Sequence, residues 1–323
     1  MQNTQYAFSV SSIRVKESAL FGQTEMEQLL AIPTYAGALS FLSEHGWEVP
    51  SSRTETNQIL RLELLRAWNF LCEIAPDISI LYPLIIRKDY HNLKAGIKSS
   101  LSGFDVNTYF MYPSTLSHEL MIEAITQRQF DILPAPFAAV GEEAYDALVR
   151  TSDGQLADIL IDCTALTDIL ARSKATRNKL IIDLAELYCA AANMKTAIRA
   201  VRTEKNEEFL QRALSECGTL EKDRLISEAS RGFEQLMAYL ATTVYAVGAA
   251  LVSESPSAFE KWCDDEAMTL LDSTRYEFFG PEPLIAYYLS KEAEIKNVRI
   301  LLAAKENHLP ADKVRQRLRR LYV

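Results

Sequence analysis

Turn formers are scarce in this chain. Only 11 glycines and 11 prolines are spread over 323 residues, too few for a β-sandwich or barrel, which needs a turn every ~8–12 residues. Glycine-rich phosphate loops are missing as well. Neither GxxxxGK followed by Ser or Thr nor GxGxxG occurs, so nothing is shaped to cradle a nucleotide. There is no GxSxG, and no serine–histidine–acid or cysteine–histidine grouping suggests a nucleophile. The four histidines are scattered without zinc-ligand spacing. Cysteine is sparse and odd in number: Cys72, Cys163, Cys189, Cys217 and Cys263 include no CxxC pair. Such thiols are expected to be reduced and packed in helices, in a reducing compartment. Positive charge is in deficit. With 34 Lys and Arg against 43 Asp and Glu the net charge is −9, and a basic stretch appears only in the last dozen residues, so no nucleic acid is expected as a partner. The opening MQNTQYAFSV lacks a basic region followed by an apolar one, so no signal peptide is expected.

One long uncharged run does exist. Gln235 to Ser253 reads QLMAYLATTVYAVGAALVS, close to the ~20 residues that span a bilayer. Its glutamine, threonines, tyrosines and glycine make it weakly apolar for lipid, and a buried core helix is expected instead.

What the chain has in quantity is helical periodicity. Hydrophobic residues make up 48% and charged residues 24%, the balance of a globular protein. Apolar positions recur at spacings of three and four, as in Leu60, Leu64, Leu65, Trp68, Leu71 and Cys72. The same holds for Leu156, Ile159, Leu160, Cys163, Leu166 and Ile169. A third series is Leu284, Ile285, Tyr288, Leu289, Ile295, Val298 and Leu302, where Glu292 and Lys296 form an i,i+4 pair expected on the wet face. The run ILYPLII at 80–86 is taken as helix. Pro310 suits the first turn of a closing helix, with Arg315, Arg317, Arg319 and Arg320 near its carboxyl end, where cations favour the dipole. The fold class is therefore all-α.

The chain also repeats itself. The pattern Asn-x-Lys/Arg occurs three times, as Asn92-Leu-Lys94, Asn193-Met-Lys195 and Asn297-Val-Arg299. The copies stand 101 and 104 residues apart. An acid precedes the Asn by three in the first and third copies (Asp89, Glu294), where the second has Ala190. STLSHELMIEAI (114–125) and GTLEKDRLISEA (218–229) repeat at an offset of 104, each with Thr-Leu and an apolar pair five residues on. FGQTEMEQLLAI near the start keeps the apolar pair alone. A period near 100 is too long for a solenoid and reads as three helical modules, 1–103, 104–206 and 207–323. Two readings of the repeated residues stand side by side. The Asn bonds to a neighbouring helix while the cation pairs with an acid, or three equivalent polar groups line a surface that meets a partner.

Chemistry finds little support. Asp264-Asp265-Glu266 resembles the start of a DDxxD magnesium–diphosphate box, but the second carboxylate it needs is Met268; a solvated helix start is expected. His91 and His118 are expected at the surface or at helix ends. Asp89 and Glu294 are expected to cap or brace.

RYEFFGPEPLIAYYLSKEAEIKNVRILLAAKENHLPADKVRQRLR (275–319) closely resembles the carboxyl-terminal end of the C subunits of V-type ATP synthases, a family related to the d subunits of eukaryotic V-ATPases. The shared features are the Phe279-Gly280-Pro281-Glu282-Pro283 turn, the Lys291–Arg299 core and Leu309-Pro310. DYHNLKAGIK (89–98) resembles the family's first-module element, and Tyr6-Ala7 with IRVKESAL resembles its opening. The resemblance implies three helical modules arranged as a funnel around a pseudo-threefold axis. It implies a non-catalytic central-stalk protein whose partners are the axle subunits and the membrane proteolipid ring. Such a protein transmits torque, binds no nucleotide, ion or other cofactor, and lies at the cytoplasmic face of the membrane, touching it only through the ring. Phe278, Phe279 and Arg317 are the candidate interface residues, because an ordered Pro-Gly turn with aromatics suits docking. Two other classes remain: a helical adaptor unrelated to a rotary machine, and a metal- or diphosphate-dependent helical enzyme.

Overall fold

The computed structural model describes residues 2–50, 55–102 and 109–323. The expected module boundary at 103/104 lies outside them. Among the described residues every regular element is helical and no strand occurs, as the scarcity of turn formers predicts. The chain opens with α1 (Ala7–Glu17), α2 (Gln23–Ala31), α3 (Tyr35–Glu44) and α4 (Thr56–Ile74). There follow α5 (Tyr82–Ser102), α6 (His118–Gln127), α7 (Ala135–Thr151), α8 (Gly154–Thr176) and α9 (Lys179–Arg202). Shorter helices come next: α10 (Glu207–Ala213), α11 (Lys222–Arg231), α12 (Phe233–Leu240) and α13 (Ala246–Glu254). The chain closes with α14 (Pro256–Leu271), α15 (Glu282–Glu306) and α16 (Ala311–Arg315).

Two compact units result. One joins the ends of the chain, Met1–Ile80 with Ser257–Val323; the other is Leu81–Pro256. In the terminal unit α15 is buried on nearly all sides. Its Ile295, Val298 and Leu302 pack among Met26 and Leu29 of α2, Leu42 of α3 and Leu60 of α4. A helix enclosed this way cannot be strongly amphipathic, which is why its apolar series runs around the whole cylinder. In the central unit α5 packs against α6, α7, α8 and α9. Tyr90 stacks on Phe137 at 4.3 Å, and its hydroxyl donates to Asp168 at 2.9 Å.

Helix starts are set locally. Ser117 accepts from the Leu120 N–H at 3.2 Å, Asp153 from the Gln155 N–H at 2.8 Å, and Asn178 from the Ile181 N–H at 3.1 Å. Each satisfies amides that have no partner within the helix. Stops use the left-handed region at Arg128, Ser152 and Arg177.

Four expectations need correction. The uncharged run 235–253 is not one helix: α12 ends at Leu240, and Thr242 and Thr243 turn their hydroxyls onto the Tyr239 and Leu240 carbonyls before α13 begins. No helix among the described residues is long and apolar enough to cross a membrane. The closing helix stops at Arg315, so Arg317 lies in the turn that follows it and Arg319 and Arg320 in an irregular tail. Glu292 is buried, where it accepts from the Tyr288 hydroxyl at 2.9 Å, while Lys296 reaches Asp264 at 2.6 Å. Cys217 lies between helices. The run at 80–86 is helical throughout, a 3₁₀ turn leading into α5.

Candidate functional site

The three repeated asparagines do the same thing. Each is fully buried, and each side-chain amide grips both backbone groups of one residue in a non-helical segment further along the chain. Asn92 Nδ2 donates to the Met111 carbonyl at 3.0 Å and Oδ1 accepts from the Met111 N–H at 2.7 Å. Asn193 does so with Ser215 at 2.8 and 3.1 Å, and Asn297 with Arg319 at 3.0 and 2.7 Å. The gripped residues recur at intervals of 104. Met111, Ser215 and Arg319 all lie outside the helices, in segments that we call straps. A primary amide offers one donor and one acceptor in the geometry of a peptide, so it supplies what secondary structure would have supplied. With both groups of the strap residue satisfied, each helix is fastened to a non-helical segment through a side-chain amide that is itself fully buried.

An acid on the same helix holds the end of each strap, or its counterpart. Asp89 accepts from the Thr115 N–H at 3.0 Å and hydroxyl at 2.6 Å, from the Leu116 N–H at 3.3 Å, and from the Ser114 hydroxyl. In the second copy the acid is Glu186, which accepts from the Thr219 N–H at 3.1 Å and hydroxyl at 3.3 Å. Glu186 stands seven residues before Asn193 rather than three. On an α-helix those offsets share a face one turn apart, so the missing acid at Ala190 is replaced from the adjacent turn. Glu294 accepts from the Phe21 N–H at 2.9 Å, just ahead of α2. All three acids therefore meet backbone immediately before a helix start.

Around Glu294 the KEAEIKNVR motif forms a buried charge cluster. Lys291 Nζ lies 2.7 Å from Glu294 and 3.0 Å from Glu63 of α4, over the Trp47 ring at 5.7 Å. Burial pushes the Glu294 carboxyl up, although Lys291 pulls it down. Burial acts to lower Lys291, but Glu294 and Glu63 outweigh it and hold the ammonium above its usual value. Asp89 is likewise raised by burial, its hydrogen-bond donors only partly opposing this.

The repeated cations are less alike. Lys94 pairs with Asp162 of α8 at 2.6 Å. Arg299 donates to the Asn57 side chain at 2.5 Å, and burial lowers its pKa. Lys195 is half-buried on α9.

The aromatic turn is open to solvent. Tyr276 is 80%, Phe278 68% and Phe279 52% exposed. Gly280 takes φ 102°, a conformation that excludes most other residues. Arg14 of α1 fixes the turn by donating to the carbonyls of Thr274 at 2.8 Å and Glu277 at 2.9 Å. Arg317 is exposed in the turn after α16.

Three residues, Asp264, Asp265 and Glu186, take part beyond what the sequence indicates, and His118, at the start of α6 as expected, does more than end a helix. Asp264-Asp265 are not a solvated helix start. They lie inside α14 and anchor the tail: Asp264 meets Arg319 at 3.0 Å, and Asp265 accepts from the Arg320 N–H at 2.6 Å. With their oxygens facing cations and an amide of this chain, they do not present a metal-binding face. His118 is buried, and its Nε2 takes the second Asn92 amide proton at 3.1 Å, which places the ring proton on Nδ1. Glu186 was signalled by its place one turn from the expected position.

Residues 9–317 match the family described as ATP synthase (C/AC39) subunit. The chain belongs to this family. A relative, the C subunit of the V-type sodium ATPase of Enterococcus hirae, is 24% identical over 267 residues, covering 81% of each chain. The match to the C/AC39 family takes in all three asparagines and the straps at Met111 and Ser215. The resemblance first carried by the FGPEP turn and the Lys291–Arg299 core therefore extends across nearly the whole chain. Membership places the chain among the C subunits of V-type ATPases and leaves neither the unrelated adaptor nor the diphosphate enzyme favoured.

Proposed function

We propose that this C/AC39 family member is a non-catalytic connector of the central stalk. It joins the axle subunits to the membrane proteolipid ring and transmits the torque that couples ATP turnover to proton or sodium transport. It works peripherally at the cytoplasmic face and touches the membrane only through the ring. Its chain is a triplicate of helical modules arranged as a funnel around a pseudo-threefold axis, with divisions near 103/104 and 206/207.

The observation that carries this reading is the repeated asparagine grip within a member of the C/AC39 family. A connector under load must not yield where helices give way to irregular chain. Buried amides that replace secondary structure at those points stiffen the weakest part of each module, and close packing resists the rest. The exposed Phe278 and Phe279, on a turn held in shape by Arg14, suit docking onto a neighbouring protein of the complex, with Arg317 as a further interface residue.

Reconstitution with the ring and the axle subunits tests the proposal. Omitting this chain should leave soluble ATPase activity intact and abolish ATP-driven ion movement. Ion movement that persists without it would overturn the connector role. Substituting Phe278, Phe279 and Arg317 together by alanine should weaken assembly; normal assembly and coupling would remove them from the interface.

A further inference from the structure

The second strap differs from the other two in what surrounds it. Cys189 lies on α9 four residues before Asn193, and Cys217 lies in the strap two residues after Ser215. The Cys189 Sγ is 3.6 Å from the Glu216 carbonyl and 3.9 Å from Asn193 Nδ2. The Cys217 Sγ is 3.7 Å from the Glu186 carbonyl, 3.1 Å from Glu186 Oε2 and 3.4 Å from Thr219 Oγ1. The two sulfurs thus meet at one place: the Cys189 sulfur rests on the carbonyl of the residue directly before Cys217, and the Cys217 sulfur rests on the turn of α9 that carries Cys189. At the corresponding positions the first copy has Lys88 and Pro113 and the third has Ala293 and Leu321. The torque proposal makes no use of this pair.

We infer that Cys189 and Cys217 form an oxidisable dithiol, which hydrogen peroxide closes to a disulfide that fastens the second strap covalently to α9. Cys217 is the sulfur that reacts first. It is 8% exposed against 1% for Cys189, so oxidant reaches it first; Cys189 and Thr219 favour its thiolate and lower its pKa, although burial and the Glu186 carboxylate oppose them. The neighbouring Cys217 and burial raise Cys189. The Cys217 thiolate attacks one peroxide oxygen, the O–O bond breaks, and the departing oxygen takes up a proton as water, leaving a sulfenic acid. The Cys189 sulfur then attacks the sulfenic sulfur. The S–S bond forms, the S–O bond breaks, and the hydroxyl leaves as a second water with the Cys189 proton. Two thiols lose two electrons and the peroxide gains them. A dithiol reductant reverses the step by exchange.

The test treats the full chain with hydrogen peroxide, quenches with an alkylating reagent and maps the peptides. Exposed Cys72 reports that oxidant was present. The expected result is a linked Cys189–Cys217 peptide, with a melting temperature raised by about 5 °C and returned by dithiothreitol. C189S and C217S should each lose the linked peptide and the shift, while C163S, next to the strap at 3.3 Å from Ser215 Oγ, should keep both. Oxidised Cys72 with Cys189 and Cys217 still alkylated in the wild-type chain would overturn the inference. So would a linkage to Cys163 in place of Cys189. Neither wild-type readout depends on a variant that folds poorly.

Discussion

Glu294 on the penultimate helix accepts the backbone N–H of Phe21, 273 residues earlier in the chain, at 2.9 Å. Asp89 and Glu186 hold backbone that follows them in sequence; Glu294 holds backbone that precedes it. The third repeated helix therefore finds its helix-start partner at the opposite end of the polypeptide, and both ends belong to one compact unit. Neither end has a complete interior alone, because α15 packs among α2, α3 and α4.

Replacing Glu294 should show this dependence directly. E294A strands the Phe21 amide and removes one of two carboxylates from a buried ammonium, a loss of about 3–5 kcal/mol. E294Q keeps an acceptor for Phe21 while removing the charge, so it should fall between wild type and E294A. Urea unfolding followed by circular dichroism measures both. If E294A unfolds at the wild-type midpoint, the contact contributes nothing and the two ends are held by packing alone.

Asp89 gives a dependence on pH with a defined sign. Burial raises its pKa in the folded chain, so the folded state holds that proton more tightly than the unfolded state does. The stability this group contributes is fully present below the unfolded value near ~4 and declines as pH rises through the raised folded value. D89N cannot titrate. Wild-type melting temperatures, taken relative to D89N, should therefore fall steadily from about pH 4 upward until the folded carboxyl is ionised, then level off. A difference that stays constant with pH would show that Asp89 has an ordinary pKa.

The tail after α16 should depend on Asp264. Its two oxygens meet Lys296 and Arg319, and Arg319 is the residue whose backbone Asn297 grips. Both ion pairs are partly solvated, so D264N should cost only about 1 kcal/mol globally. Its local effect should be larger: faster amide exchange at Arg319 and Arg320 and quicker trimming by a carboxypeptidase. Unchanged exchange at those two amides would mean that Asn297 alone fixes the tail.

The helical class and the repeat were legible because both rest on side-chain pattern: spacings of three and four, and an asparagine recurring with its neighbours. The straps were not, because Asn92, Asn193 and Asn297 bind backbone, and backbone has no residue signature. Met111, Ser215 and Arg319 share nothing but their interval. Glu186 is hidden in the sequence because the other two copies place their acid three residues before the Asn, although the helix face allows seven as well. Asp264-Asp265 read as a solvated helix start because their partners, Arg319 and Arg320, lie 55 residues on, beyond any spacing that a helix pattern links. The closing helix ends at Arg315, where Asn297, Lys261 and the acids of α14 draw the tail into another path; Lys261 donates to the Leu318 carbonyl at 2.6 Å. The 235–253 run contains no helix long and apolar enough to cross a membrane, and its break at Thr242-Thr243 depends on hydroxyl-to-carbonyl bonds that composition does not reveal.

The asparagine grip itself carries the sharpest expectation. N193A leaves a buried N–H and a buried carbonyl without partners and should destabilise its unit by about 2–4 kcal/mol, whereas N92A and N297A, whose strap bonds are part-buried, should cost about 1–2 kcal/mol. Substitution by aspartate keeps the acceptor but sets an oxygen against the strap carbonyl, so it should be no milder than alanine. Global unfolding would not separate this from a core cavity. Amide hydrogen exchange would, because the first protection to disappear should be at Met111, Ser215 or Arg319, in the strap belonging to the altered asparagine and not in the other two. Loss spread evenly over the neighbouring helices, with the strap amide still protected, would mean that packing rather than the amide holds the strap in place.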